Sequence, residues 1–160
     1  MYLDCHAILG WTIGNLVPGD ARARRWATAA ALLPDLDGLP VVFGARYYAD
    51  YHHTFGHNVF LWVVVSALAT HRLRSVKAGL VVFACFGSHV LADAYFSGLN
   101  QYLFWPVSWW AYTAKGGYSL FDPINTQLGY VGLVLVFLLA VIHRRTPIEL
   151  FSSRLDRLLV

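Results

Sequence analysis

Long apolar segments alternate with short polar turns along the chain, and this pattern predicts helices rather than strands. Apolar residues dominate positions 3–17, 59–70, 78–97 and 128–142, and each of these runs is long enough for three or more helical turns. The 78–97 segment is the longest, at about 30 Å for a rise of 1.5 Å per residue, which matches the hydrocarbon thickness of a bilayer. A shorter alanine-rich helix is predicted at 26–33.

The C-terminal residues 148–160 follow a different pattern, in which apolar side chains are set against arginines. The apolar members are Leu150, Phe151, Leu155, Leu158 and Leu159, and the basic members are Arg154 and Arg157. Such a segment is typical of an amphipathic helix lying on a membrane surface. We therefore expect one all-α domain over residues 1–160, an integral membrane helical bundle of four or five membrane helices with a C-terminal amphipathic helix.

The amino-acid composition strengthens the prediction of a membrane protein. Apolar residues make up 58% of the chain and charged residues only 13%, whereas a soluble domain has about 25% charged residues. The net charge of +3 and the lack of a long basic run argue against nucleic-acid binding. Cys5 and Cys85 lack the CxxC spacing of a cysteine zinc site, and both lie in apolar surroundings, which argues against a disulfide. With Asp4 and His6 in the first apolar run, we expect no cleaved signal peptide.

The lysines and arginines indicate how the bundle is oriented. Ten of the twelve fall in three places, at 22–25, 72–77 and 144–157, and only Arg46 and Lys115 lie elsewhere. Alternating helices would put the three basic places on one side, which the positive-inside rule makes cytoplasmic. We therefore expect a bacterial-type inner (cytoplasmic) membrane location with the lipid bilayer as partner.

Three histidines precede the second apolar run and mark the first candidate site. His52, His53 and His57 fall within six residues, and His53 and His57 stand four apart. Imidazole ionises near neutral pH and is the commonest metal ligand, so ionisable groups beside a membrane segment indicate function. Thr54 is expected to cap the helix that follows.

Three further segments carry groups that can bind a metal. His89 and Asp93 stand four apart inside the 78–97 run and share one helix face. Asp35 and Asp37 follow the alanine-rich helix, and His6 lies near the start of the first helix. We expect the four segments to converge.

Distances counted from the basic turns support this convergence. His6, Asp35, His57, His89 and Asp93 all come out at depths of roughly 15–24 Å from those turns, at 1.5 Å per residue. Polar groups from separate segments thus fall in one layer, in the half of the membrane away from the cytoplasm. We expect the site to face the extracytoplasmic side.

Mixed imidazole and carboxylate groups without thiolate suit zinc, manganese, iron or nickel, and zinc is the usual metal for hydrolysis. We expect one or two ions, most simply zinc with manganese as the second choice, and Asp35 or Asp37 could bridge a pair. Each segment alone has a plainer interpretation: a hydrogen-bonded helix pair for His89 and Asp93, a helix stop for the two aspartates, and a satisfied histidine for His6. Together they favour a metal site, because burying several ionisable groups without a shared partner is costly.

In their order and spacing these motifs resemble the YdjM-type inner-membrane metal-dependent hydrolases. The resemblance rests on His6, on the segments 33–37, 52–58 and 88–93, and on Trp105-Pro106. The family pattern at the third motif is His-Arg-Gly-x-Thr-His-Ser; here His53 replaces the arginine, and Gly56 and Asn58 replace the threonine and serine. The resemblance implies a polar centre of His6, Asp35, Asp37, His52, His57, His89 and Asp93. It also implies a distant similarity to zinc phospholipase C-like enzymes.

The sequence thus predicts a membrane-bound metal-dependent hydrolase that acts on a phosphoester, such as a lipid headgroup, with a metal-activated water. The expected metal ligands are His6, Asp35, Asp37, His52, His53, His57, His89 and Asp93. The expected catalytic residues are Asp35, His52, His57, His89 and Asp93. Two alternatives remain open: a metal or proton conduit, and a membrane protein whose cluster holds a structural metal.

Overall fold

The computed structural model of the chain describes residues 1–16 and 20–160, and in these ranges the chain is all-α, as predicted. The α-helices are α1 (Leu3–Leu16), α2 (Ala21–Leu32), α3 (Ala45–Tyr51), α4 (Val59–Leu73), α5 (Val76–Phe96), α6 (Pro123–His143) and α7 (Ser153–Asp156). Two 3₁₀ segments, Leu33–Phe43 and Pro147–Leu150, follow α2 and α6. Position 17, the predicted end of the first helix, lies outside the described residues.

Helix α5 is the centre of the bundle and packs against α1, α2 and α4. The core between these helices is apolar and built largely from small side chains: Ala27, Ala30, Ala31, Val65, Ala69, Val82, Cys85, Phe86 and Val90. Small residues let α1 and α2 approach closely. A Cβ built on Gly10 would lie only 2.5 Å from the Cβ of Ala31, so this contact requires glycine.

Helix α6 is peripheral, and most of its side chains face outward. It packs on α1, where a Cβ built on Gly132 would lie 2.7 Å from Ile8 Cγ2. Among the described helices, α5 and α6 are long and apolar enough to cross a membrane, at 21 residues each, whereas α4 is apolar but has 15. The expected four or five membrane helices therefore reduce to two of full length in the described part of the chain.

Two predicted helix starts are corrected by the capping residues. Helix α2 begins at Ala21 rather than at 26, because Asp20 caps it by accepting a hydrogen bond from Ala23 N at 2.8 Å. Helix α4 begins after Asn58, whose Oδ1 accepts from Leu61 N at 2.8 Å, so Thr54 is not its cap.

The C-terminal amphipathic helix is broken rather than continuous. Only Ser153–Asp156 is α-helical, and the acidic side chains of this region turn inward: Glu149 and Asp156 are 3% and 5% exposed. Glu149 accepts from Arg24 at 2.6 Å and from Trp11 Nε1 at 3.1 Å. The segment is therefore held against α1 and α2 by a buried ion pair, while Phe151 stays exposed.

Candidate metal centre

The four segments meet at one end of the bundle, and all eight predicted ligands lie in a single connected cluster. Helix α1 contributes one histidine, the first 3₁₀ segment two aspartates, the turn before α4 three histidines, and α5 a histidine and an aspartate. These residues are His6, Asp35, Asp37, His52, His53, His57, His89 and Asp93.

Asp93 is at the centre of the cluster and is 1% exposed. Its Oδ1 lies 3.0 Å from His6 Nε2 and contacts the amino group of Met1. Its Oδ2 is surrounded by three ring nitrogens at 3.2–3.4 Å, the Nε2 atoms of His53, His57 and His89. The α5 spacing of four residues thus brings His89 and Asp93 onto one face, as predicted.

Asp37 has a different position, on the outer side of the histidines. Its Oδ1 accepts from His52 Nδ1 at 2.8 Å, and its Oδ2 accepts from His57 Nδ1 at 3.0 Å and from Gly56 N at 3.0 Å. A carboxylate in this position fixes the ring orientation and leaves Nε2 free to bind a metal. The geometry of Asp37 therefore fits a group that orients the histidines better than it fits the metal ligand or bridge that the sequence predicts.

The turn from His52 to Asn58 is shaped around Asp37. His53 adopts a left-handed backbone conformation, with φ of 66°, and a Cβ on Gly56 would collide with the carbonyl oxygen of Pro34 and lie 2.8 Å from Asp37 Oδ2. Only glycine fits there without a shift of the backbone. Gly56, one of the residues that depart from the expected family pattern, is therefore required by the close approach of the 3₁₀ segment.

Two partners of the histidines were missed at the sequence level. The backbone carbonyl of Ala31 accepts from His89 Nδ1 at 2.6 Å, and the buried side-chain amide of Gln101 lies 3.0 Å from His53 Nδ1. The carbonyl leaves no signal in a sequence, and Gln101 lies in a loop whose path no periodicity reveals. Both contacts orient Nε2 toward Asp93.

The hydrogen bonds fix the tautomers of two rings and create a demand for positive charge. The acceptors Asp37 and Ala31 O can only accept, so the Nδ1 atoms of His57 and His89 carry the protons. Their Nε2 lone pairs then point at each other across 3.0 Å, and each lies 3.4 Å from Asp93 Oδ2. Two lone pairs and a carboxylate oxygen at these distances repel one another unless a metal ion or an additional proton lies among them.

The surroundings shift the pKa values of three groups that lie outside the α-helices, His57, His53 and Asp37. Burial lowers the pKa of His57, but its hydrogen bonds to Asp37 and Asp93 outweigh burial and raise this pKa to about 9. Burial lowers the pKa of His53 to about 3, despite the hydrogen bond to Asp93. Burial opposes the charge of Asp37, yet the hydrogen bonds from His52 and His57 hold its pKa well below the usual range. At neutral pH the protein therefore keeps Asp37 ionised, His57 protonated and His53 neutral.

Two overlapping groups of side chains have the geometry of a metal site, with one ligand atom from each residue and all ligand atoms within 4.8 Å of one another. One group is His52, His53, His57 and Asp93, and the other is Asp35, His57, His89 and Asp93. Both offer only nitrogen and oxygen atoms, the donor set of zinc, manganese or iron. His6 belongs to neither group, and its ring stacks on that of His89 with the centroids 3.7 Å apart.

A cavity of about 300 Å³ leads to the cluster from outside. Asp35, His52 and Asp93 line it together with Tyr48 and Ser97, and much of the remaining lining is apolar, including Leu39 and Leu120. No lysine or arginine lines it among the described residues. Arg46 is absent from this cavity; its side chain is 90% exposed and lies 3.6 Å from Asp50.

Residues 1–152 match the family described as "YdjM inner membrane protein". No curated protein and no solved structure matches the chain.

Proposed function

Since the chain belongs to the YdjM inner membrane protein family, we propose that it is a membrane-bound metal-dependent hydrolase that cleaves a phosphoester, such as a lipid headgroup. The ion would be held by His57, His89 and Asp93, together with Asp35 or with the neighbouring pair His52 and His53. The family description supplies the membrane location, and the hydrolytic activity is our inference from the cluster.

The metal part of the proposal is supported by the facing ring nitrogens. His57 Nε2 and His89 Nε2 lie 3.0 Å apart beside Asp93 Oδ2, with both Nδ1 protons already committed to other acceptors. A divalent ion satisfies all three atoms at once, and zinc fits this mixture of imidazole and carboxylate.

One observation carries the enzyme part of the proposal: the candidate ligands Asp35, His52 and Asp93 form the floor of an accessible cavity. A structural metal site is closed, whereas a catalytic site keeps a position open to substrate. The cavity provides such access.

A bound divalent ion would supply two kinds of chemistry, lowering the pKa of a coordinated water and polarising the phosphoester. The protein residues hold and orient the groups around it. Asp37 keeps the Nε2 atoms of His52 and His57 directed inward, and the carbonyl of Ala31 does the same for His89. Asp35 is the ligand whose side chain is partly exposed, at 19%, so it is placed to accept a proton from a water at the cavity floor.

The lining of the cavity favours an amphiphilic substrate. Leu39, Val41, Leu99 and Leu120 make most of its wall apolar. No described lysine or arginine lines it, and the amino group of Met1 is already paired with Asp93. The phosphate of a substrate would therefore depend on the metal for its charge balance, and the wall would contact an acyl chain or another apolar group.

We further propose that the cavity opens on the extracytoplasmic side. The support is the distribution of lysine and arginine, ten of which lie in three places that the alternation of helices puts at the opposite end.

A proton or metal conduit is less well supported than the enzyme. A conduit needs polar groups that continue from the cluster toward the basic end. Below His89 the hydrophobic core includes Phe86, Val82 and Ala27. The buried hydroxyls of Thr28 and Ser66 in this region donate to carbonyl groups of their own helices rather than to one another.

The test uses purified protein in an uncharged detergent, assayed against a panel of phosphodiesters and phospholipids with and without added zinc or manganese. We expect turnover that is lost on chelation, restored by metal and abolished by His89→Ala. Activity should rise through roughly pH 6–8. If a metal-loaded protein hydrolyses no member of the panel, while chelation lowers its thermal stability, the structural-metal alternative replaces the enzyme.

A further inference from the structure

A second cavity lies at the end of the bundle opposite to the metal centre. Its volume is about 380 Å³, within the range of about 300–1,000 Å³ that is usual for ligand pockets. Four cationic side chains line it, Arg22, Arg72, Arg74 and Lys77. Lys77 lies twelve residues before His89 on the same helix, which corresponds to about 18 Å. The two cavities are therefore separate sites.

The folding of the chain concentrates the cations here. Helix α4 ends at Leu73, Arg74 takes a left-handed conformation with φ of 49°, and α5 starts at Val76. This tight turn places Arg72, Arg74 and Lys77 within six residues. Arg22, in the first turn of α2, faces them across the cavity.

The four cations have no acidic partner among the described residues. Asp20 also lines the cavity, but its carboxylate caps α2 by accepting from Ala23 N at 2.8 Å. The positive-inside rule requires basic residues at this end, but it does not require that four of them surround one cavity.

We propose that this cavity binds the phosphate group of an anionic phospholipid. Clustered cations recognise phosphate by charge and by hydrogen bonds, and basic pockets between membrane helices bind anionic headgroups. Leu73, Ala78 and Val81 supply an apolar wall, and Val76 and Leu80 are 67% and 63% exposed on the adjoining surface of α5. The headgroup lies in the pocket, and the acyl chains run along this apolar surface.

The test compares lipids that differ only in headgroup. Purified protein in uncharged detergent is titrated with phosphatidylglycerol or with phosphatidylcholine of the same acyl chains, and bound lipid is counted by native mass spectrometry. We expect one phosphatidylglycerol to bind at least about tenfold more tightly than phosphatidylcholine, and the double variant Arg72→Gln/Lys77→Gln to lose about tenfold in that affinity. Arg22→Gln, on a different helix, should weaken binding in the same direction.

The matched control is Arg154→Gln/Arg157→Gln, which removes the same charge from exposed positions outside the cavity at the same end of the bundle. It should keep the affinity of the unmodified protein, and all variants should keep its thermal midpoint. An equal loss in the control, or no preference for phosphatidylglycerol, would overturn the proposal in favour of general surface charge. A third arm uses inorganic phosphate alone: if it binds as tightly as the lipid, the pocket is a site for a soluble anion and the lipid assignment fails.

Discussion

Replacing Asp37 by asparagine isolates the orienting role of this carboxylate, because the side chain keeps its shape and loses its charge. Gly56 N donates to Oδ2 at 3.0 Å and needs an acceptor there, so the amide oxygen of the new asparagine takes that position. Its NH₂ group then faces His52 Nδ1, 2.8 Å from the former Oδ1. His52 must accept with Nδ1 and carry its proton on Nε2, where it can no longer bind a metal.

The expected loss of metal affinity in Asp37→Asn follows from these contacts. His57 keeps a hydrogen bond to the amide oxygen, but it loses the ionised acceptor that makes its ring a better ligand. Loss of such an orienting group usually lowers metal affinity by about 10–100-fold, which corresponds to about 1.4–2.8 kcal/mol. A loss of affinity near 100-fold indicates that His52 is a metal ligand. A loss near tenfold indicates that the ion is held instead by the group that contains Asp35 and His89.

Zinc affinity can be measured by competition with a chromogenic chelator on protein in detergent, and the control is Asp50→Asn. Asp50 is exposed and interacts only with Arg46, at 3.6 Å among the ion pairs of the described residues, so its substitution should leave affinity unchanged. The reasoning is refuted if Asp37→Asn binds zinc within threefold of the unmodified protein while its circular dichroism spectrum is the same.

Four other predictions can be tested, three of them from the geometry around His57 and Gly56 and one from the distribution of lysine and arginine. His57→Ala should lose its bound metal in elemental analysis while Arg72→Ala keeps it, and unchanged content in both contradicts the metal centre. Zinc affinity should rise about tenfold per pH unit from pH 6 to 8, because the pKa of His57 is raised to about 9 and zinc binding must displace that proton. A zinc affinity that titration calorimetry finds unchanged over this pH range would argue against His57 as a ligand. A cysteine at Ser75 should be protected from an impermeant thiol reagent on intact cells and one within residues 115–118 should react, whereas the reverse pattern inverts the orientation. Gly56→Ala should lower the free energy of unfolding by roughly 1–3 kcal/mol, because its Cβ meets the 3₁₀ backbone; an unchanged thermal midpoint would show that the turn can move aside.

Residue spacing along a helix was the most informative feature of the sequence. His89 and Asp93 were expected on one face, and their side chains lie 3.4 Å apart in α5. His53 and His57 have the same spacing, but the helix starts only at Val59, so these two meet because a turn with a left-handed residue brings both to Asp93. The same separation in sequence thus has two different structural origins.

The sequence was least informative where a side chain is paired outside its own element. The leucines and arginines of the C-terminal segment predict one amphipathic helix, but Glu149 forms a buried ion pair with Arg24 and lies in a 3₁₀ turn, after which only Ser153–Asp156 is α-helical. The contact between Gln101 and His53 joins a loop to a turn 48 residues away. Pairings of this kind depend on tertiary packing, which hydropathy and spacing along one segment do not encode.

The charges of the buried residues argue for one divalent ion rather than two in the innermost part of the cluster. Asp37 and Asp93 are 2% and 1% exposed, so their two negative charges must be balanced locally. Asp35 is different, because its side chain is 19% exposed and water in the cavity can solvate its charge. One divalent ion neutralises the two buried carboxylates when the histidines around it are neutral, and the amino group of Met1 beside Asp93 adds a further positive charge. A second ion would therefore leave an excess positive charge unless it lay beside Asp35. Any second ion is therefore expected toward the cavity, where it would be the more weakly held of the two.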